Sequence, residues 1–249
     1  MVPPELLKGV PALADLSERV LEDLARVARE VEYGAGDRIV PLIKPPPQIL
    51  FILQGLVKLV GVSVNGSERI VYVFRPGEIT GSRVLLDVSP EAAYEIVAMQ
   101  RVRAVAVSKP DFLRIAEDHP ELLIAVTREF SRRLAGLASR MLAAMSDEVP
   151  IRLGQLLLDF AAAAADDEFV PLSYPLTHES MAQIIGASRP HTSTVLGDLE
   201  HRGLVQRRSE RGLLVCPSRL ARMVRGEYRP PTSDSTVRKA RRWESGSSP

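Results

Sequence analysis

The sequence predicts an α+β protein built from an N-terminal β-roll, jelly-roll-like in having two sheets, a long helix, and a C-terminal winged helix-turn-helix. Three observations predict it. Short β-type runs crowd the stretch from residue 37 to residue 108. One long helical pattern, Pro120–Met145, carries an apolar seam. The stretch from Leu176 to Gln206 reads as two short helices around a tight break, with two further β-like runs behind it. At 249 residues the chain has room for two cores.

In chain order, Val10 to Val31 places Leu13, Leu16, Val20, Leu21, Leu24 and Val27 at helical spacing, with Ser17 as N-cap. Tyr33-Gly34-Ala35-Gly36-Asp37 is turn chemistry. Strand patterns follow at Asp37–Val40, Ile49–Gln54, Leu56–Val64, Glu68–Phe74, Ala93–Gln100 and Arg103–Ser108, and such crowding of short strands predicts a closed or double-sheet β structure. Asn65-Gly66 is a hairpin signal because both residues tolerate positive φ, and Pro45-Pro46-Pro47 predicts a loop. A short helix is expected over Pro110–Asp118. In the long helix Leu123, Thr127, Phe130, Leu134, Leu137, Met141 and Ala144 alternate steps of four and three, a heptad seam of about three heptads. Its residues either pair two copies, with Phe130, Leu134, Leu137 and Met141 as the dimer contacts, or pack on their own domain.

Ile151 to Ala165 predicts an amphipathic helix stopped by Asp166-Asp167-Glu168, a carboxylate run that reads as a solvated stop. Phe169–Pro175 reads as a short strand. Thr177 then caps a helix with Met181, Ile184 and Ile185 on one face. Gly186-Ala187 breaks it, and Ser188 caps a second helix in which Pro190 occupies a tolerated first-turn position. Val195 and Leu199 face inward there, and the polar front is Arg189, His191, Thr192, Ser193 and Thr194. Leu204–Arg208 and Gly212–Val215 read as a wing, and a last helix is expected over Ser218–Val224. This pattern predicts residues 1–118 as a β domain, 119–146 as a dimerisation helix, 147–226 as a DNA-binding domain, and 227–249 as a disordered basic tail.

Composition narrows the classes. Hydrophobic residues make up 45% of the chain and charged residues 25%, while the formal net charge is only +1, so the chain is not a uniformly basic nucleic-acid coat. A single cysteine, Cys216, rules out an internal disulfide and a multi-cysteine metal or iron–sulfur site. No apolar run reaches membrane-span length and no signal-peptide core opens the sequence, so the expected location is cytoplasmic. Glycine-rich phosphate loops, paired zinc histidines and nucleophile elbows are missing, so no enzyme is expected.

The order of elements, with Gly186-Ala187-Ser188-Arg189 leading into Leu199-Glu200-x-x-Gly203-Leu204-Val205, resembles the CRP/FNR family of bacterial transcription regulators over roughly residues 10–225. Gln54-Gly55-x-Val57 and Arg75-Pro76-Gly77-Glu78 resemble that family's β-roll turns. The resemblance implies that residues 1–118 are an effector or sensor domain, and that the chain forms a homodimer on a palindromic site in double-stranded DNA, with RNA polymerase as a further partner. It also implies DNA contacts from Thr177, His178, Ser188, Arg189, His191, Thr192, Thr194, Arg207 and Arg208. In particular, the arginine matching Arg189 reads a guanine, whose O6 and N7 suit a guanidinium fork.

The effector pocket departs from the pattern. Cyclic-nucleotide-binding members carry Gly-Glu where this chain has Gly81-Ser82, and an Arg-Ser or Arg-Thr phosphate grip where it has Ala92-Ala93. The polar pair on their dimer helix falls on Leu137-Ala138. Arg83 remains an alternative guanidinium for gripping the phosphate. Haem is disfavoured because His119 alone among four histidines lies outside the DNA-binding part. The expectation is therefore no cofactor, no metal, and an effector that is unknown or absent. Two alternatives stay open, a cyclic-nucleotide-responsive regulator and a β-roll protein-interaction module with a non-sensing pocket.

Overall fold

A computed structural model describes residues 1–40, 48–62, 68–81, 85, 94–146, 148–208 and 212–227. The chain divides into two compact units, Met1–Ser146 and Asp147–Pro249.

In the first unit, α1 (Pro4–Lys8), a 3-10 turn (Pro11–Leu13) and α2 (Glu18–Val27) precede eight strands: β1 (Arg29–Tyr33), β2 (Arg38–Val40), β3 (Gln48–Gln54), β4 (Val57–Val62), β5 (Glu68–Phe74), β6 (Ile79–Thr80), β7 (Tyr94–Ala98) and β8 (Val102–Ser108). Helices α3 (Lys109–Asp118) and α4 (Pro120–Ser146) follow. The strands form two antiparallel four-stranded sheets, ordered β1-β8-β3-β6 and β2-β7-β4-β5.

Strand β3 shows why these sheets stack. Because successive side chains point to opposite faces, Ile49 and Phe51 join one core with α1, α2, α3 and the start of α4, while Leu50 and Ile52 join the core between the sheets. Strand β8 does the same, sending Val105 and Val107 one way and Ala104 and Ala106 the other. A strand buried on both faces reads as a continuous apolar run rather than an alternation. The layers are helices, sheet, sheet.

Helix α2 ends sooner than its spacing predicts. Arg29–Tyr33 leaves the helix and pairs antiparallel with β8, Arg29 opposite Ala106 and Tyr33 opposite Val102. Glu30 and Glu32 there face Arg103 and Arg101, with Arg101 Nη2 donating to Glu32 at 2.7 Å. Opposite charges across neighbouring strands favour the pairing, and the Arg101 guanidinium holds the Glu32 carboxyl below its ordinary value. The Asn65-Gly66 and triple-proline segments lie outside the described residues.

The second unit contains α5 (Val149–Phe160), β9 (Val170–Pro171), α6 (His178–Ile185), α7 (Arg189–His201), β10 (Val205–Arg208), β11 (Gly212–Val215) and α8 (Pro217–Val224). Its sheet has the order β10-β11-β9. Helix α5 stops at Phe160 rather than at residue 165. Ala161 turns extended and bridges Leu172, and Ala162 N–H donates to Pro171 O at 3.2 Å. Alanine favours helix, yet this run has no apolar face to bury, and the strand contacts prevail. Tyr228 to Pro249, the expected tail, lies outside the described residues. Among the described residues no helix is long and apolar enough to cross a membrane, and no group of three histidines, cysteines or carboxylates could hold a metal ion.

Candidate nucleic-acid interface

Helices α6 and α7 meet at Gly186, whose φ of 68° and ψ of 35° are left-handed. A glycine adopts that conformation without steric cost, and so ends α6 within one residue. Thr177 Oγ1 accepts from Ser180 N–H at 3.0 Å to cap α6, and Ser188 Oγ accepts from His191 N–H at 3.3 Å to cap α7. Met181, Ala182 and Ile185 of α6 are buried, as are Val195, Leu196 and Leu199 of α7.

The front of α7 sorts its polar residues by direction. Arg189, His191 and Thr194 are exposed. Among the described residues nothing holds the Arg189 guanidinium, whereas Thr194 Oγ1 donates to Pro190 O at 3.1 Å. Thr192 corrects the expectation for it: it is fully buried, and its hydroxyl donates to Ser188 O at 3.0 Å. It lies one turn before Leu196 on the inward face, so it supports the helix and cannot reach an outside partner. His178 is half-buried, with Nδ1 2.9 Å from Ser193 Oγ, a bond that ties the start of α6 to α7.

In the wing, Arg207 is already engaged. Its N–H donates to Glu200 Oε1 at 3.0 Å and its Nε lies 3.3 Å from Glu200 Oε2. This explains the Leu199-Glu200-x-x-Gly203-Leu204-Val205 motif physically. Leu199, Leu204 and Val205 are fully buried, Gly203 takes a positive φ to end α7, and Glu200 reaches forward to fasten the first wing strand. Arg208 closes β10 opposite Gly212.

A second cluster in this unit was read in the sequence as a solvated stop. Asp167, at a φ of 56°, binds across fifty residues of chain. Its Oδ1 accepts from Ser218 Oγ at 3.0 Å and Arg219 Nε at 3.1 Å, with Arg222 Nη2 at 3.4 Å. Arg219 Nη1 also donates to Gly203 O at 3.2 Å, joining this cluster to the end of α7. The hydrogen bond from Arg219, then that from Ser218, holds the Asp167 carboxyl below its ordinary value. Three consecutive acidic residues give no sign of which one is engaged by Ser218, Arg219 and Arg222. Cys216 is buried beside this cluster, as a small hydrophobe would be.

On α4 the four expected dimer contacts divide. Leu134 and Met141 are 69% and 66% exposed, and Leu142 and Met145 extend that apolar surface. Phe130 instead packs on the helix-side core and Leu137 on the inter-sheet core. Of the pocket residues, Gly81 follows β6 at a φ of 101°, and a Cβ there would sit 2.8 Å from Gln48 O. Ser82, Arg83, Ala92 and Ala93 lie outside the described residues. His119 lies between α3 and α4 with Nε2 3.1 Å from Asp23 Oδ2.

The sequence pattern missed Arg133 of α4. Its guanidinium lies over the rings of Phe74, Tyr72 and Phe130, at 4.7, 5.3 and 5.6 Å, and Nη2 donates to Ile79 O at 2.6 Å. The adjacent pair Arg132-Arg133 hid it, since one arginine faces water and the other the sheet.

Residues 30–119 match the cyclic nucleotide-binding domain and residues 151–223 the Crp-like helix-turn-helix domain. The chain belongs to the CRP/FNR family of transcription regulators. Its CRP/FNR relatives include a CRP-like cAMP-activated global transcriptional regulator of Mycobacterium tuberculosis, 24% identical over 89% of this chain and 99% of the relative. A global nitrogen regulator of Nostoc is 25% identical over 73% of this chain and 87% of its own. The fold is shared with the c-di-GMP-responsive global regulator of Xanthomonas campestris, at a TM-score of 0.67 and 18% identity, over 80% of this chain and 99% of that one. A CRP/FNR-family regulator from Thermus thermophilus gives a TM-score of 0.62 at 24% identity, over 79% and 98%.

Proposed function

We propose that this CRP/FNR protein is a homodimeric regulator that reads a palindromic operator with α7, and that cyclic AMP does not drive its binding. The observation that carries the reading is the front of α7. A rigid, capped helix exposes Arg189, His191 and Thr194 while Thr192, Val195, Leu196 and Leu199 anchor its other face. A helix so presented fits the major groove, and an uncommitted guanidinium at its first turn suits guanine O6 and N7. Thr177, His178 and Ser188 are assigned to the neighbouring phosphates, where contacts position the protein without reading sequence. Arg208 is assigned to a phosphate as well, and Arg207, held by Glu200, contributes charge from a fixed place.

Two copies are needed to read a palindrome. The exposed Leu134 and Met141 supply the apolar surface for pairing, and burying exposed apolar side chains favours association. RNA polymerase is the proposed partner once operator is bound. Independence from cyclic AMP is supported by Ser82 and by Ala92-Ala93 at the positions of the ribose and phosphate groups. Leu137 further supports it, packed on the inter-sheet core where a polar dimer-helix residue is otherwise expected. The relatives are named for different effectors, cyclic AMP in one and c-di-GMP in another, so the shared fold does not fix the ligand.

The deciding experiment is a panel of operators varied one base at a time. Arg189→Ala should cost roughly 1–3 kcal/mol per half-site and relax the preference at one base. Arg189→Lys should recover only part of it, because an ammonium lacks the planar fork. Uniform weakening with base preference intact would assign Arg189 to the backbone instead. Calorimetric titration with cyclic AMP should give no saturable heat, and saturation coupled to tighter operator binding refutes that part.

A further inference from the structure

Three consecutive hydroxyl residues lie near the start of α7, and the middle one bonds differently from its neighbours. Thr192 Oγ1 donates to Ser188 O at 3.0 Å and Thr194 Oγ1 to Pro190 O at 3.1 Å, each one turn back along the helix. Ser193 Oγ instead lies 2.9 Å from Nδ1 of His178, fifteen residues earlier at the first position of α6. Both residues are half-buried. Among the described residues this bond is the only one that either side chain makes. A hydroxyl hydrogen needs an acceptor, and polar groups withdrawn from water seldom go without one. No carbonyl takes the Ser193 hydrogen, so Nδ1 is the acceptor within reach. A neutral imidazole has one accepting and one donating nitrogen, so the ring hydrogen then sits on Nε2. The reverse assignment leaves the Ser193 hydrogen with nothing to bond and turns Nε2 into a bare lone pair.

We infer that Ser193 is a positioning residue for DNA binding: it holds His178 in the tautomer with its hydrogen on Nε2, and that N–H donates to an operator phosphate. The inference rests on the proposed phosphate contact of His178, and deepens it by naming the donor atom and the residue that sets it. A phosphate diester offers only acceptors, so the Nε2–H form can bond it, whereas the other tautomer would turn a lone pair toward an anion. Glu179, the next residue of α6, has Oε1 accepting from Gln183 Nε2 at 3.2 Å, and among the described residues no carboxylate pairs with the ring. Ser193 belongs to the helix proposed to read the bases. Its bond therefore fastens a contact that positions the protein to the helix that reads sequence.

The test uses the full chain at about pH 8, above the ordinary histidine range, first without DNA and then with an operator selected from random duplexes. In nitrogen–proton correlation spectra of the imidazole rings, His178 is assigned by its loss in His178→Gln. Its hydrogen should sit on Nε2, and its Nδ1 resonance should move in Ser193→Ala. A hydrogen on Nδ1 in the parent overturns the inference. Ser193→Ala, a change that favours helix, should weaken operator binding about five-fold per half-site with base preference intact. Ser193→Thr, which keeps the hydroxyl, should recover most of that affinity. In the His178→Ala background, Ser193→Ala should cost less than about two-fold, because the serine acts through the ring. An undiminished loss in that background overturns the inference, and so does parental affinity in Ser193→Ala. Replacing the operator phosphates one at a time with neutral methylphosphonates should reveal one position that weakens the parent and leaves His178→Ala unaffected. If no position behaves so, the ring holds no phosphate and the inference fails. The expected tautomer in a parent that binds no operator would leave the Ser193–His178 bond standing and overturn the DNA-binding reading instead.

Discussion

Arg133 and Arg189 carry the same side chain into opposite surroundings. In the β domain, Arg133 is 10% exposed, spread over three rings and bonded to a strand carbonyl. At the front of α7, Arg189 is exposed, and among the described residues nothing holds it. The first guanidinium is part of the fold, and its removal disturbs the core. Among the described residues the second makes no hydrogen bond or ion pair, and the proposed operator contact would give it one. Arg219 and Arg207 stand between the two, exposed in part yet bound to Asp167 and Glu200. Commitment of a charge to its own chain, rather than the number of charges, separates the interior of the molecule from its candidate interface.

The same division runs along α4, and breaking it there should have the largest effect. Charging the two exposed apolar positions together, Leu134→Glu with Met141→Glu, should give monomers by sedimentation and abolish operator binding while leaving the β domain folded. If the double variant sediments as a dimer, the pairing surface lies elsewhere. Charging Leu137 instead should unfold the domain, since that side chain packs on the inter-sheet core. Arg133→Ala comes next. It leaves the Ile79 carbonyl without its donor and removes the cation from three rings, which together should cost roughly 2–4 kcal/mol in urea denaturation. A loss below about 0.5 kcal/mol would place Arg133 with ordinary surface residues. Arg189→Ala should invert this result, shifting stability by no more than about 0.5 kcal/mol while operator affinity falls.

The smallest expected effect concerns Asp167. Its carboxyl is held below the ordinary aspartate value by Arg219 and Ser218. A depressed folded-state pKa contributes stability that is present above the unfolded value and lost as pH falls through the folded one. Lowering the pH from about 5 to about 3 should therefore reduce the stability of the parent more than that of Asp167→Asn, which tolerates the same backbone but does not titrate. Equal acid sensitivity in the two would mean that the cluster adds nothing beyond its hydrogen bonds.

What the sequence revealed depended on periodicity. The helices around Gly186 were legible because two capping hydroxyls, one glycine and an apolar face agree on one geometry. Most strands were legible as apolar runs. Strand β1 was not, because Arg29-Glu30-Val31-Glu32-Tyr33 continues a helical texture, and only Arg101 and Arg103, seventy residues on, make it an edge strand. The alanines after Phe160 misled for a related reason: propensity is local and the bridge to Leu172 is not. At the candidate interface, the polar front expected from Arg189, His191, Thr192, Ser193 and Thr194 is exposed at Arg189, His191 and Thr194. Thr192 was misassigned because a polar side chain suggests the wet face, although its hydroxyl can bond one turn back and leave the methyl for the core. Arg133 and Asp167 were hidden among like neighbours, where no local pattern tells the engaged charge from the solvated one.

Gly186 and the inward face of α7 have a consequence for how such a protein can diverge. The glycine turn, the two caps and the buried Thr192, Val195, Leu196 and Leu199 fix where the helix lies. The identities at 189 and 191 play no part in that, and Thr194 adds only one hydroxyl bond back to Pro190 O on the exposed side. Replacements there can accumulate one at a time without passing through an unfolded intermediate, so the exposed surface of α7 can change its chemistry while the architecture stays under the same selection.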